Sequence, residues 1–166
     1  MASDPRPRDA SGCHGPAAWP HFHSHFHSTP QDVRAALAKV MTFLKTAGLT
    51  SEDLITAELV LAEALNNVVE HAYSDTPRGK IQIDLNITGS TVGITITDHG
   101  QAMPGGQLPL SLGPAQLDCA SRADLPEGGW GWQVIRGCVA AVTYQRAGNE
   151  NLLNIDIEMS APQSRA

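Results

Sequence analysis

A strict alternation in the middle of the chain constrains the fold more than any other feature. Ile81, Ile83, Leu85 and Ile87 interleave with Gln82, Asp84 and Asn86, and after Gly89-Ser90 the same period resumes at Val92, Ile94 and Ile96. Successive strand side chains point to opposite faces, so the two runs form an antiparallel hairpin that is apolar on one side only. Such a face has to be covered by a second layer.

Helical periodicity on either side supplies that layer. Thr29 suits an N-cap and Pro30 a first helical position, and Val33, Leu37, Val40, Met41 and Leu44 keep helical spacing until Gly48. Ser51, with a carboxylate partner nearby, opens a longer second helix that runs to about Tyr73, where Ser74-Asp75-Thr76-Pro77 breaks it. A third helix is expected over residues 132–140. It is followed by a strand around Val142 and Tyr144, a turn at Ala147-Gly148-Asn149, and a last strand with Leu153, Ile155, Ile157 and Met159 on one face. Ahead of the first helix, residues 21–28 alternate His/Phe/His/Ser, which reads as an edge strand with four histidines on one face and Phe22 and Phe26 on the other. The sum is an α+β fold: a two-layer α/β sandwich, its mainly antiparallel mixed sheet carrying helices on one face. A chain of 166 residues builds one such core. The Pro-, Gly-, Ala- and Ser-rich residues 1–20 read as a flexible leader, 21–160 as the domain and 161–166 as a tail. Residues 100–129 form a long Gly- and Pro-rich loop with a short helix expected over 115–122, and a loop of that length is usually functional.

Charge narrows the partners. The formal net charge is -6 and no Lys/Arg run or basic helical stripe appears, so a nucleic-acid backbone is a poor partner. No signal peptide is evident and no apolar stretch approaches the roughly 20 residues a membrane helix needs, so a cytoplasmic protein without membrane attachment is expected. Cys13, Cys119 and Cys138 have no metal-ligand spacing and fit reduced thiols. His21, His23, His25 and His27 stand at alternate strand positions that chelate weakly, but without a shaped cage they promise only nonspecific metal affinity.

Three groups of residues carry chemistry. Glu63, Asn67 and His71 recur every four residues on the second helix and share a face, one that Leu59, Val60 and Ala64 flank, so it is half-buried rather than fully solvated. Alone, such a stripe is more often an ordinary exposed polar face. Asp98 continues the phase of Val92, Ile94 and Ile96, so its carboxylate points into the apolar side, where a charge needs hydrogen bonds. Two readings stand open there: a cap on the Asp98-His99-Gly100 bend, or an acceptor for a ligand amino group. Glu127-Gly128-Gly129-Trp130-Gly131 leads directly into the third helix, and glycines before a helix N-terminus let backbone N–H groups approach an anion. The spacing is neither that of a Walker loop nor that of a Rossmann turn.

Together these motifs resemble the GHKL ATPase superfamily, and within it the anti-sigma regulatory factors, stand-alone serine kinases of bacterial partner-switching systems. Glu58-Leu59-Val60-Leu61-Ala62-Glu63-Ala64-Leu65-Asn66-Asn67-Val68-Val69-Glu70-His71-Ala72-Tyr73 looks like their N box. Ile96-Thr97-Asp98-His99-Gly100 resembles the first glycine box and Gly128-Gly129-Trp130-Gly131-Trp132-Gln133-Val134-Ile135-Arg136 the second. The resemblance implies a histidine-kinase-like ATPase fold that binds ATP and Mg²⁺. It makes Glu63 the general base for an attacking serine hydroxyl and Asn67 the Mg²⁺ ligand, with His71 in a supporting place near the nucleotide. Asp98 would bind the adenine amino group and Gly100 leave room for the base, while Gly128, Gly129, Trp130 and Gly131 would wrap the phosphates. Arg122, in the lid, is a candidate for reaching the γ-phosphate or an ordinary surface arginine. The chain departs from the family at Gln101-Ala102-Met103-Pro104, where a further glycine or an aromatic-acidic-Pro run is frequent, and at Trp132, where leucine is frequent.

The implied function is an ATP-dependent serine/threonine protein kinase. It would phosphorylate a small anti-sigma factor antagonist and, in another partner state, sequester a sigma factor or other regulator, as a homodimer. Two alternatives stand beside it: an ATP-gated binding module with weak or no kinase activity, and a histidine-kinase-like catalytic fragment.

Overall fold

The alternating hairpin is present with the register its pattern requires. In the computed structural model, which describes residues 20–74, 78–109 and 131–160, β2 (Lys80–Thr88) and β3 (Thr91–Asp98) pair so that Ile83 faces Ile96, Leu85 faces Ile94 and Ile87 faces Val92. β1 (His21–His27) adds to the outside of β2, β5 (Glu150–Glu158) to the other side of β3, and β4 (Ala141–Ala147) to β5. The order is β1-β2-β3-β5-β4 and every pairing is antiparallel. Helices α1 (Pro30–Thr46), α2 (Ser51–Asn67) and α3 (Gly131–Cys138) complete the α+β sandwich. Ile81, Ile83, Leu85, Ile94, Ile96, Ile155 and Ile157 of the sheet meet Val40, Leu44, Leu61, Leu65 and Ile135 of the helices, all essentially inaccessible. Each such side chain contributes roughly 1.5–3 kcal/mol of transfer free energy.

β1 is the expected edge strand. Phe22 and Phe26 turn toward the helices, Phe22 packing at 5.5 Å between ring centroids on Phe43, while the four histidines face outward and exposed. Across the β1–β2 pairing His23 Nδ1 lies 2.6 Å from Asp84 Oδ1. Burial alone would raise the Asp84 carboxyl, but hydrogen bonds from Gln82 and His23 and the charges of His23 and His21 hold it below its ordinary value. Among the described residues no group of three or more His, Cys, Asp or Glu is arranged to hold a metal ion. No helix among them is long and apolar enough to cross a membrane.

The helix starts and stops follow local chemistry. Thr29 Oγ1 accepts from the Asp32 amide at 3.1 Å, with Pro30 in the first turn, and Gly48 ends the α1 segment at φ +92°. The cap of α2 is Thr50, one residue before the expected Ser51. Thr50 Oγ1 accepts from the Asp53 amide at 3.2 Å while Asp53 Oδ2 accepts from the Thr50 amide at 3.3 Å, a reciprocal box that Ser51 has no partner to make. Nor does α2 continue as a regular helix to Tyr73: Val68–Ala72 forms one π turn. A π turn holds more residues per turn than an α-helix, so His71 is out of strict four-residue register with Glu63 and Asn67, yet it borders the same cavity as Asn67. Tyr73 then closes the segment, buried, with its hydroxyl donating to Lys80 O at 2.7 Å and accepting from the His99 amide at 2.9 Å.

The cysteine expectation is corrected at α3, where Cys138 is disulfide-bonded rather than a reduced thiol. Its partner, like the helix expected over 115–122, lies outside the described residues.

Candidate functional site

β3 runs out of apolar residues at Asp98, which the strand phase turns inward and which is 4% exposed. Its Oδ1 accepts from the Gly100 amide and from Asn151 Nδ2, each at 2.8 Å. The capping reading is therefore satisfied by one oxygen alone, and among the described residues Oδ2 has no hydrogen bond. Burial pushes this carboxyl above its ordinary value, against the bonds from Asn151 and Gly100 and the charge of Arg146.

Asn151 is the residue sequence reasoning missed. It stands directly across from Asp98 in the β3–β5 register and is 3% exposed. Its Nδ2 donates to Asp98 and, at 3.0 Å, to Gln101 O, while its Oδ1 accepts from the Tyr144 hydroxyl at 2.6 Å and from Arg146 Nη1 at 2.7 Å. Arg146 also donates to Gly100 O at 2.8 Å, and the Met103 amide donates to the Tyr144 hydroxyl at 3.1 Å. The start of β5 and the end of β4 thus clamp residues 100–103 and fix Asp98 in one orientation. The signal was in the sequence: Asn151 shares the phase of Leu153, Ile155 and Ile157, a polar residue at a core position just as Asp98 is.

Gly100 has a tighter reason to be glycine than leaving room for a base. A Cβ there would collide with the carbonyl of Ala72, and the Gln101 amide donates to that same carbonyl at 2.8 Å. The missing side chain lets the segment after β3 lie against the π turn.

Gly131 brings the other groups together. A Cβ on this first residue of α3 would lie 3.0 Å from Glu63 Oε2 and 3.2 Å from Asn67 Nδ2, so α3 begins against both side chains. Among the described residues Asn67 Nδ2 is buried without a hydrogen-bond partner. Leaving such a donor unpaired costs about 1–3 kcal/mol, which a ligand oxygen would recover. The oxygen at the other end of the same amide is a donor atom suited to a hard cation. Of the remaining expected residues, His71 is exposed beside these groups, and Gly128, Gly129, Trp130 and Arg122 lie outside the described residues.

A cavity of about 550 Å³ lies between the helices and this end of the sheet, bordered by Asn67, His71, Asp98, Trp132, Tyr144 and Asn151 among others. That volume falls within the roughly 300–1,000 Å³ of small-molecule sites. Among its described lining residues Glu63 does not appear; it stands against Gly131, next to Asn67. Among the described residues, a carboxylate oxygen free at one position, an unpaired amide at another and a helix start between them fit a nucleotide with an amino-bearing base and an anionic end.

A helix-backed antiparallel sheet with a ligand-sized cavity between Asp98 and the start of α3 defines the class: a small-molecule-binding α+β sandwich. The chain belongs to the histidine kinase-like ATPase domain family, which matches residues 26–157. It is 34% identical over 109 residues to the serine/threonine-protein kinase BtrW of Bordetella bronchiseptica, covering 66% of this chain and 72% of that protein. It is 32% identical over 82 residues to the anti-sigma F factor of Anoxybacillus flavithermus, covering 49% of this chain and 56% of that protein, little more than half its length. Among solved structures, the RsbU and RsbW domains of Rv1364c from Mycobacterium tuberculosis superpose with a TM-score of 0.60 at 19% identity, over 86% of this chain and 33% of that one, a likeness of fold. These relatives bear out the resemblance read from the three motifs, and membership of the family implies ATP binding.

Proposed function

We propose that this chain is a Mg-ATP-dependent serine/threonine protein kinase of the partner-switching type. Its substrate is a small antagonist protein, and in its alternate partner state it sequesters a sigma factor or another regulator. The observation that carries the reading is the convergence of Glu63 and Asn67 on Gly131 at the start of α3. When bound, Mg-ATP supplies the transferable γ-phosphoryl group and a divalent charge on the phosphates. Around it, the Asn67 amide oxygen would hold the cation, and Asp98 Oδ2 would accept from the amino group of the base. Glu63 would take the proton of the partner's serine or threonine hydroxyl as that oxygen bonds to the γ-phosphorus and the phosphorus–oxygen bond to the departing ADP breaks. Its half-buried place beside a helix start keeps it near developing charge without sealing it from an incoming hydroxyl.

One observation favours a second reading, an ATP-gated binding module with little kinase activity: Glu63 does not border the cavity itself. The two separate on incubation of the full chain with γ-labelled Mg-ATP and a small antagonist-domain protein. Label on a serine or threonine of the antagonist supports the kinase; an ATP-dependent complex without label supports the module. Absence of ATP binding contradicts both. The same preparation, run on a sizing column, tests the homodimer.

A further inference from the structure

Gln133, on the first turn of α3, is 8% exposed and borders the cavity, yet among the described residues its side-chain amide has no hydrogen bond. Its neighbours Val134 and Ile135 are buried and apolar, with Ile135 in the hydrophobic core. Its amide borders the cavity and makes no bond to the described core, so leucine or methionine would fill the same volume without costing the fold a hydrogen bond. The amide is therefore placed to pair with what enters the cavity.

The position along the ligand follows from helix geometry. Gly131 starts α3 against Glu63 and Asn67, and the amides of a first helical turn point back past that start. Two residues on, the Gln133 side chain leaves the helix about 200° round from Gly131. It therefore leaves α3 on the side away from Glu63 and Asn67, on the wall shared with Trp132 and Arg136. An amide donates and accepts at once, which matches groups that do the same: a ribose hydroxyl, or the amino and ring-nitrogen edge of a purine. Phosphate oxygens only accept.

We propose that Gln133 is a ligand-contacting, specificity-determining residue that reads the nucleoside part of the bound nucleotide. The inference rests on the nucleotide reading of the cavity. Calorimetry on the full chain, wild type against Gln133→Leu, with Mg-ATP, Mg-ADP and inorganic tripolyphosphate as probes, tests it together with thermal melts in the absence of nucleotide. The expected result is a Gln133→Leu protein that melts no lower than wild type and binds ATP and ADP about tenfold more weakly, by the same factor. Its tripolyphosphate affinity should be unchanged. Unaltered ATP affinity overturns the proposal, as does an equal loss for tripolyphosphate, which moves the contact to the phosphates. A lower melting point with unchanged nucleotide binding does the same, since it makes the amide structural. Should Gln133→Leu fail to fold, Gln133→Met, of the same length, carries the comparison. A wild type that binds neither ATP nor ADP instead removes the nucleotide reading itself, a separate result.

Discussion

Asp98 holds a strand position that Val92, Ile94 and Ile96 fill with apolar side chains, and the fold bears a cost for it. Burial keeps its folded carboxyl above the ordinary 3.8, so the native state holds this proton more tightly than the unfolded chain does. Ionisation therefore removes stability as pH rises from 3.8 through the raised value, and the loss is constant above it. Asp98→Asn cannot ionise, and its side-chain oxygen still accepts from Gly100 and Asn151. Thermal melts from acid to neutral pH should show this variant gaining on wild type across that window and holding the gain beyond it, while calorimetry shows its ATP binding weakened at least tenfold. A gap that does not change with pH contradicts the charge argument. Asn151→Ala should behave oppositely, since it leaves the Tyr144 hydroxyl, the Arg146 guanidinium and Asp98 short of a partner together. A loss of about 2 kcal/mol in denaturant unfolding is expected, along with weaker ATP binding. Asp98 was legible because a charged residue broke an apolar phase; Asn151 broke the neighbouring phase in the same way. What sequence could not give was the register that sets the two face to face, or the reach of Tyr144 and Arg146 from β4.

Between elements, two junctions position the site. Asp53 caps α2 through Thr50 and also accepts from the Ser160 amide at 3.0 Å, fastening the segment after β5 to the helix that carries Glu63 and Asn67. Burial alone would raise this carboxyl, but hydrogen bonds from Ser160 and Thr50 outweigh it and lower it below 3.8. The stability it contributes is thus present above 3.8 and lost as pH falls through the lowered value. Asp53→Ala should cost about 1–2 kcal/mol near neutrality and progressively less in acid, as followed by melts across that range. The second junction is Gly100 on the π turn. Gly100→Ala forces a methyl into the Ala72 carbonyl and should destabilise by about 1–3 kcal/mol and weaken ATP binding by displacing Asp98's neighbours, both measurable on one purified variant. Periodicity located the helices, the hairpin and the edge strand, because apolar spacing is the property that burial selects. It could not locate the π turn that precedes Tyr73 and its bond to the end of β3, nor choose Thr50 over Ser51 without seeing which hydroxyl Asp53 answers.

At the scale of the molecule, the antiparallel sheet and its helix layer create the cavity at one end, where β3, β5, α2 and α3 all terminate or begin. The apolar core is independent of the ligand, whereas Asn67 and Asp98 each carry an unmet hydrogen-bonding atom toward that end. ATP should therefore stabilise the fold by linkage, about 2.7 kcal/mol at a hundredfold excess over its dissociation constant. Glu63 carries the central claim, because Gln in its place keeps shape and hydrogen bonding but cannot take a proton. The decisive measurement is transfer of labelled phosphate from Mg-ATP to the antagonist protein by wild type and Glu63→Gln, with ATP affinity measured on both. The account predicts serine or threonine phosphorylation by wild type and a loss of at least a hundredfold in the variant at unchanged ATP affinity. Equal transfer by the two proteins would contradict it.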